Sequence, residues 1–459
     1  MKAKSRRLAA FAARADHDEL AGMFCQQVHW PEKYQSKRKR LYPLQRTFWL
    51  FLGQVLATGA SCQEVAARFL GRLAIVGQQA STNTTAYCKA RKRLPQEALD
   101  HVLHDVARGT HAKACTPKLM WCGRRVKVVD GSSVSMPDTP ENQAQYPQPE
   151  GQKPGCGFPV ARLTVIFCLA TGVVLAYAKA ALGISERALF RSLWDGLEQG
   201  DVVLGDRGFC SYAEMHKLLE RGVDCVMRKH GRRGKTSLID KRHGKNDVQM
   251  IWFKTSARPD WIDDETWRAM PKTLTIREIT IEISTPGFRT QHVVVATTLL
   301  DPKAFPKQAF AELYRRRWSV ELFLRDLKTT MGMEILRCKS PAMIHKELTM
   351  HFIVYNLLRN AMLDASLKHR RTPSEISFKA SLATLRQWAP HFASLHAKPR
   401  TRSQLYRQLL HTLASNRLPY RPDRVEPRAK KRRPKNYQLL TEPRRDFKES
   451  PHRNKYHAA

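Results

Sequence analysis

The chain has 459 residues, 42% of them hydrophobic and 8% aromatic, which is enough for two or three domains around a buried core and excludes a disordered chain. Its 79 Lys and Arg stand against 41 Asp and Glu, a formal net charge of +38. Nucleic acid is the expected partner for such a charge, because each neutralised phosphate releases counterions.

Ten cysteines are scattered without CxxC spacing or a companion His cluster, so no zinc site is expected and they read as reduced, small apolar residues. The longest uncharged stretch, 163–178, falls short of the roughly 18 apolar residues of a membrane span. At the N-terminus Arg14 and Asp16 interrupt the apolar run after Arg6-Arg7 too early for a secretory signal. A cytoplasmic, nucleoid-associated protein is expected.

In chain order, residues 1–117 read as a helical, DNA-binding region. An apolar helix spans 48–57, and Ser61-Cys-Gln-Glu64 forms a capping box that opens a second. The following segment carries Lys89, Arg91, Lys92 and Arg93. It fits a helix-turn-helix, but equally a helical bundle with a solvated basic face, which is the commoner case. Near residue 120 the texture changes. Arg125-Val-Lys-Val-Val-Asp130 alternates as a strand and meets Gly131-Ser132-Ser133, which reads as a turn. A proline-rich loop leads to paired strands at 161–169 and 173–179 with a hairpin turn at Thr171-Gly172. Ser185 caps a helix through Leu197. A strand at 201–204 ends in Gly205-Asp206-Arg207-Gly208, followed by a helix over 212–221 and a strand over 223–227. Acids thus end the first and fourth strands, where α/β sheets place their chemistry.

Residues from about 229 to 300 interrupt this order. A basic run, Arg228, Lys229, Arg232, Arg233 and Lys235, precedes strand-like segments at 248–254, 273–284 and 292–299, a mainly antiparallel insertion. Pro306 starts a long helix through Lys328, and Ser340-Pro341 opens an apolar helix through Met362. The core region is therefore 118–375. Residues 376–459 read as a basic helical region ending in a disordered arm around 428–435 that would lie on phosphates.

Along the helix that begins at Pro306, Tyr314, Arg317, Glu321 and Lys328 fall within a sector of about 60° at roughly 100° per residue. Val320, Leu324 and Leu327 point elsewhere, toward a core. Pairing Arg317 with Glu321 is worth only about 0.2–0.5 kcal/mol and leaves Tyr314 and Lys328 unexplained. A scissile phosphate accounts for all four: the acid holds a metal while the cations bind flanking phosphates.

The pattern Tyr-x2-Arg-x3-Glu-x6-Lys resembles the signature of the DDE insertion-sequence transposases of the IS-four group. Asp130-Gly131-Ser132, Asp206-Arg207 and the β-rich insertion match the same family in order and spacing, and the resemblance covers about 40–440. It implies an α/β, ribonuclease-H-like mixed sheet with flanking helices, interrupted by the insertion, and helical terminal regions. It implies that Asp130, Asp206 and Glu321 are catalytic and hold two Mg2+, with Mn2+ as a substitute, about 3.5–4 Å apart. Tyr314, Arg317, Lys328 and Arg207 would contact DNA. Trp252, Trp261 and Trp267 are candidates for stacking a flipped base, although each reads as readily as a buried β-core aromatic. The implied activity is metal-dependent cut-and-paste excision and strand transfer on double-stranded DNA, both the element's terminal inverted repeats and target DNA. A homodimer in the synaptic complex and no membrane partner are expected. The alternative is a catalytically inactive, transposase-derived repressor. The family often has an acid after Arg207, where Gly208 stands here.

Overall fold

Residues 19–34, 40–75, 77–231, 237–282, 292–393 and 399–419, with 442, 443 and 446, are described by a computed structural model. Arg6-Arg7, Arg14, Asp16, Arg232, Arg233, Lys235 and the tail run 428–435 lie outside them.

Among the described residues five α-helices come first: α1 (Glu19–Phe24), α2 (Leu44–Leu56), α3 (Cys62–Ile75), α4 (Thr85–Arg93) and α5 (Gln96–Lys113). The capping box forms as its residues dictate. The Ser61 N–H donates to Glu64 at 2.5 Å, and the Glu64 N–H donates to the Ser61 hydroxyl at 3.1 Å. On α4 the buried Tyr87 and Ala90 face the core, which leaves Lys89, Lys92 and Arg93 exposed.

The sheet begins with β1 (Arg125–Ser135). Gly131-Ser132-Ser133 were expected to turn, yet they continue the strand, paired in register with Thr164, Leu163 and Arg162 of β2 (Val160–Cys168). A full partner on one edge outweighs the turn preference of Asp-Gly. A short helix, α6 (Pro140–Gln145), interrupts the proline-rich loop, and the Thr171-Gly172 hairpin leads into β3 (Val174–Ala181) with Gly172 at φ +76°. Ser185 caps α7 (Glu186–Arg191), its hydroxyl accepting from the Ala188 N–H at 3.2 Å. That helix ends sooner than Leu197: a 3-10 turn over Trp194–Gly196 folds Trp194 into the core instead. Then come β4 (Asp201–Gly205), α8 (Tyr212–Glu220) and β5 (Asp224–Arg228).

The insertion supplies β6 (Ser237–Gly244), β7 (Asp247–Phe253), α9 (Asp264–Ala269), β8 (Thr273–Glu282) and β9 (His292–Thr297). Its strands join the core sheet, giving nine strands in the order β3-β2-β1-β4-β5-β9-β8-β7-β6. The pairs β1–β4 and β4–β5 are parallel, and the rest are antiparallel. The long helix expected from Pro306 to Lys328 is in fact three pieces: α10 (Lys307–Arg316), α11 (Ser319–Arg325) and a π-turn over Asp326–Thr330. Around the break the backbone tightens to i−3 bonds, from Arg317 to Tyr314 at 3.1 Å and from Glu321 to Trp318 at 3.2 Å. It then widens to an i−5 bond from Met331 to Asp326 at 3.0 Å. The described chain closes with α12 (Pro341–Lys368), α13 (Phe378–Ala393) and α14 (Pro399–Ser415).

Side chains alternate across β1, so Val128 enters one core and Val129 the other. The Val128 side is continuous with the terminal helices, from Phe48 and Val102 to Ile353 and Leu409. The Val129 side holds Phe190, Met215, Trp252 and Ile276 from α7, α8 and the insertion. No helix among the described residues is long and apolar enough to cross a membrane.

Candidate active site

The sheet is forked where its acids stand. Strand β1 pairs with β4 only from Arg125↔Asp201 to Val128↔Leu204, while its pairing with β2 runs on to Ser135. Two residues beyond the last parallel pair on each strand are Asp130 and Asp206. They occupy the two lips of the opening. Asp130 shares its face with Val128, the side on which α11 packs, and Glu321 comes from that helix. Asp130 and Glu321 line one cleft of about 700 Å³, together with Ser132, Ser135, Arg325, Lys328, Thr329 and Glu334.

Backbone amides hold both aspartates. The Gly131 N–H donates to Asp130 at 2.8 Å, and the Gly208 N–H donates to Asp206 at 2.7 Å. The residue two after Asp206 therefore acts through its main chain, and a Cβ there would come within 3.0 Å of the Asp206 carboxylate. An acid at 208 is not needed for that contact. Burial pushes the Asp130 carboxyl up to about 6, against the pull of the Gly131 N–H and Arg317, and the nearby charges of Asp206 and Glu186 push the same way. Among the described residues no Lys or Arg makes an ion pair with either aspartate.

The signature residues are divided among three settings rather than ranged on one face. Tyr314 is buried, 2% exposed, with its ring edge-on to Trp318. Arg317 lies over both rings, 5.7 Å from Tyr314 and 5.1 Å from Trp318, and its buried Nε has no hydrogen-bond partner. Its guanidinium approaches Glu321 at 3.6 Å, a long contact to a carboxylate 59% exposed. Lys328, carried on the π-turn, faces the cleft 3.9 Å from Glu334. Val320, Leu324 and Leu327 are all buried as their spacing required, and Leu324 also borders the cleft. Beneath the π-turn, Asp326 is paired with Arg359 at 2.8 Å in the interior, with Arg359 enclosed by Phe323, Tyr355 and Phe378.

Among the three tryptophans, Trp252 is wholly buried and donates to Glu278 at 2.7 Å, leaving no face for a base. Trp267 is buried against Lys254. Trp261 keeps an accessible edge and lines a second cleft of about 390 Å³ with Arg187, Arg191 and Arg258, although Arg191 already stacks 4.5 Å from its ring. Arg207 is exposed beside Asp206. Glu186 was not singled out by the sequence: an acid just after a cap reads as dipole compensation.

The donors at the fork are hard carboxylate oxygens, of the kind Mg2+ or Mn2+ prefers, and the two aspartates lack a cationic partner among the described residues. The set fits a divalent cation chemically. It is not closed, because Glu321 turns to Arg317, and no three acid, His or Cys side chains among the described residues gather tightly enough to enclose an ion.

Strand order 3-2-1-4-5, antiparallel then parallel, with acids at the fork and on a later helix, defines a ribonuclease-H-like core of the kind that carries DNA-cleaving and strand-transfer enzymes. The transposase DDE domain family matches residues 121–357, and the chain belongs to it. A curated relative, the transposase InsG for insertion sequence element IS4 of Escherichia coli (strain K12), is 26% identical over 404 residues, 87% of this chain and 88% of that protein. This agrees with the IS-four signature at 314–328. Among solved structures, the chain overlays weakly on the piggyBac transposase synaptic complex with hairpin DNA. The match is 9% identical over 86% of this chain and 85% of that one, and its TM-score of 0.43 is too low to compare parts.

Proposed function

We propose that this transposase excises and joins an insertion sequence by a cut-and-paste route, with Asp130, Asp206 and Glu321 as its catalytic triad. The reading is carried by one observation: Asp130 and Glu321 share a cleft with Lys328 while Asp206 stands on the opposite lip of the same fork. Asp130, Asp206 and Glu321 would hold the divalent ions. Bound there, two Mg2+ would supply the activation of water and the stabilisation of the leaving 3′ oxygen. Glu321 is exposed and its contact with Arg317 is long at 3.6 Å, so a rotamer change would release it into the cleft it shares with Asp130. Arg317, once freed, and Lys328 would bind the phosphates flanking the cut, and Arg207 the cleaved strand. Tyr314, being buried, would hold Arg317 in place from beneath. Of the tryptophans only Trp261 could stack a displaced base, after Arg191 moves aside.

The helical region 1–117 and the basic region 376–459 would grip DNA on either side of the 118–375 core. A homodimer would bring the two element ends together, and the enzyme would work on the nucleoid. A repressor without chemistry would share the basic surface, but it would have no use for a half-buried carboxylate held against its neighbours' charge. Incubating the protein with Mg2+ and DNA carrying the element's ends should yield double-strand excision. Asp130→Ala should still bind that DNA but not cut it. Cutting by Asp130→Ala, or loss of binding along with cutting, contradicts the assignment.

A further inference from the structure

A further cleft, of about 310 Å³, adjoins the catalytic one, and Ile335 borders both. Half exposed, Ile335 stands on a ridge pinned to the end of β1. The Ser135 N–H donates to the Glu334 carbonyl at 3.0 Å, and the Leu336 N–H donates to the Ser135 carbonyl at 2.9 Å. Whatever this cleft holds is therefore held in register with the strand that carries Asp130. Its other wall is the turn between α2 and α3, which comes so near that a Cβ on Gly332 would meet Thr58 at 3.0 Å.

The cleft is equipped for an anion. On the basic helix α4, Lys89, Lys92 and Arg93 are exposed, but Arg91 turns inward, 4.9 Å from the Phe51 ring, and its buried Nε has no hydrogen-bond partner. Arg337 is exposed at the same cleft, with one Nη donating to the Gly59 carbonyl at 2.5 Å. Among the described residues neither arginine makes a salt bridge. The acid on the wall, Glu347, is taken up by the N–H groups of Arg337 at 3.0 Å and Cys338 at 2.9 Å. His351 of α12, only 6% exposed, lines the cleft too, and its Nδ1 has no partner. Burial and the charge of Arg337 push it down to about 3, so the ring is neutral and has one N–H to give. Spare donors on two arginines and a buried histidine, none paired with a carboxylate, suit an anionic ligand. A DNA phosphate fits best, because one residue separates this cleft from the catalytic one and the chain sets 79 Lys and Arg against 41 Asp and Glu.

We infer that the cleft bordered by Arg91, Arg337 and His351 seats a backbone phosphate of the DNA strand that leaves the catalytic cleft over Ile335. This rests on the reading of the catalytic cleft as the place where DNA is cut. The three are positioning residues: they fix the register of the strand and read no base.

The test neutralises one phosphate at a time, by methylphosphonate substitution, in DNA carrying the element's ends. Binding of the full chain is measured in EDTA, so that nothing is cut. For the unaltered chain, one neutralised step near the cut should weaken binding about tenfold. Arg91→Met and Arg337→Met should each bind about tenfold more weakly, lose about one from the slope of log affinity against log salt, and suffer no further loss at that same step. Lys328→Met should become insensitive at a different step, the one in the catalytic cleft. A variant that has merely lost structure still feels every neutralised step, so an undiminished response in both arginine variants overturns the inference. If Lys328→Met alone becomes insensitive to a step, the catalytic cleft stands and the inference falls. If no variant does, both fall together.

Discussion

Replacing Asp130 by Asn removes a charge and keeps the shape. The amide oxygen can still accept from the Gly131 N–H, as the carboxylate does at 2.8 Å, so the substitution isolates the electrostatics. In the folded chain, burial raises the carboxyl from its ordinary 3.8 to about 6. The folded state therefore holds this proton more tightly than the unfolded one. Stability is greatest below the unfolded value of 3.8 and falls as pH rises through about 6. That gap corresponds to about 3 kcal/mol forfeited at neutral pH. Asn never ionises and so recovers it. In EDTA at neutral pH, Asp130→Asn should melt higher by on the order of 5 °C, with the difference fading on acidification. Excess Mg2+ should shrink or reverse the gap, since a cation that binds only the folded site stabilises the unaltered chain by mass action. Calorimetric or fluorescence melts across pH measure all three. An Asn variant that melts lower in EDTA, or a gap that persists in acid, would refute the view of Asp130 as a half-buried charge that its neighbours only partly compensate.

Arg359→Ala should destabilise by about 3–5 kcal/mol because it strands Asp326 in the interior, whereas the double change Asp326→Leu with Arg359→Met should cost far less. Equal losses in denaturant titrations would show that the pair is not acting as one. Trp252→Ala should cost about 3–5 kcal/mol of stability. Trp261→Ala should cost at most about 1–2 kcal/mol through its lost ring contacts, yet weaken DNA binding; parallel melts and gel shifts compare them, and matching stability losses would count against Trp261 as a surface for DNA. Affinity for DNA should fall by about 10³ or more between 50 and 200 mM salt if six or more phosphates are contacted. A flat response in filter binding would contradict the use of this charge on phosphates.

Where local chemistry decides structure, the residues declare it in advance. Ser61 and Glu64 cap each other, Ser185 caps α7, and Thr171-Gly172 turns the hairpin, all from interactions within a few positions. Alternation and punctuation likewise mark Asp130 and Asp206 on neighbouring strands, but the strand end expected at Asp130 is absent, since β1 runs on to Ser135. What could not be read depends on distant partners. Gly131 looks like a turn until β2 supplies its pairing, and Glu186 looks like a dipole acid until β1 lies beneath it. The helix at 307–330 has no glycine or proline to announce a break. The tightening at Arg317–Glu321 and the widening at Asp326–Thr330 change its twist, so angles counted at a constant step misplace Tyr314 relative to Lys328. Asp326, where the widening starts, is paired with Arg359 from a helix further along the chain, and no window of local sequence contains both.

The inserted strands are not an appendage. β9 pairs with β5 at Val226–Arg228, and β8, β7 and β6 extend the same sheet outward, so main-chain hydrogen bonds tie the insertion to the strand beside the one that leads into Asp206. Trimming the insertion away would leave β5 with a naked, adhesive margin.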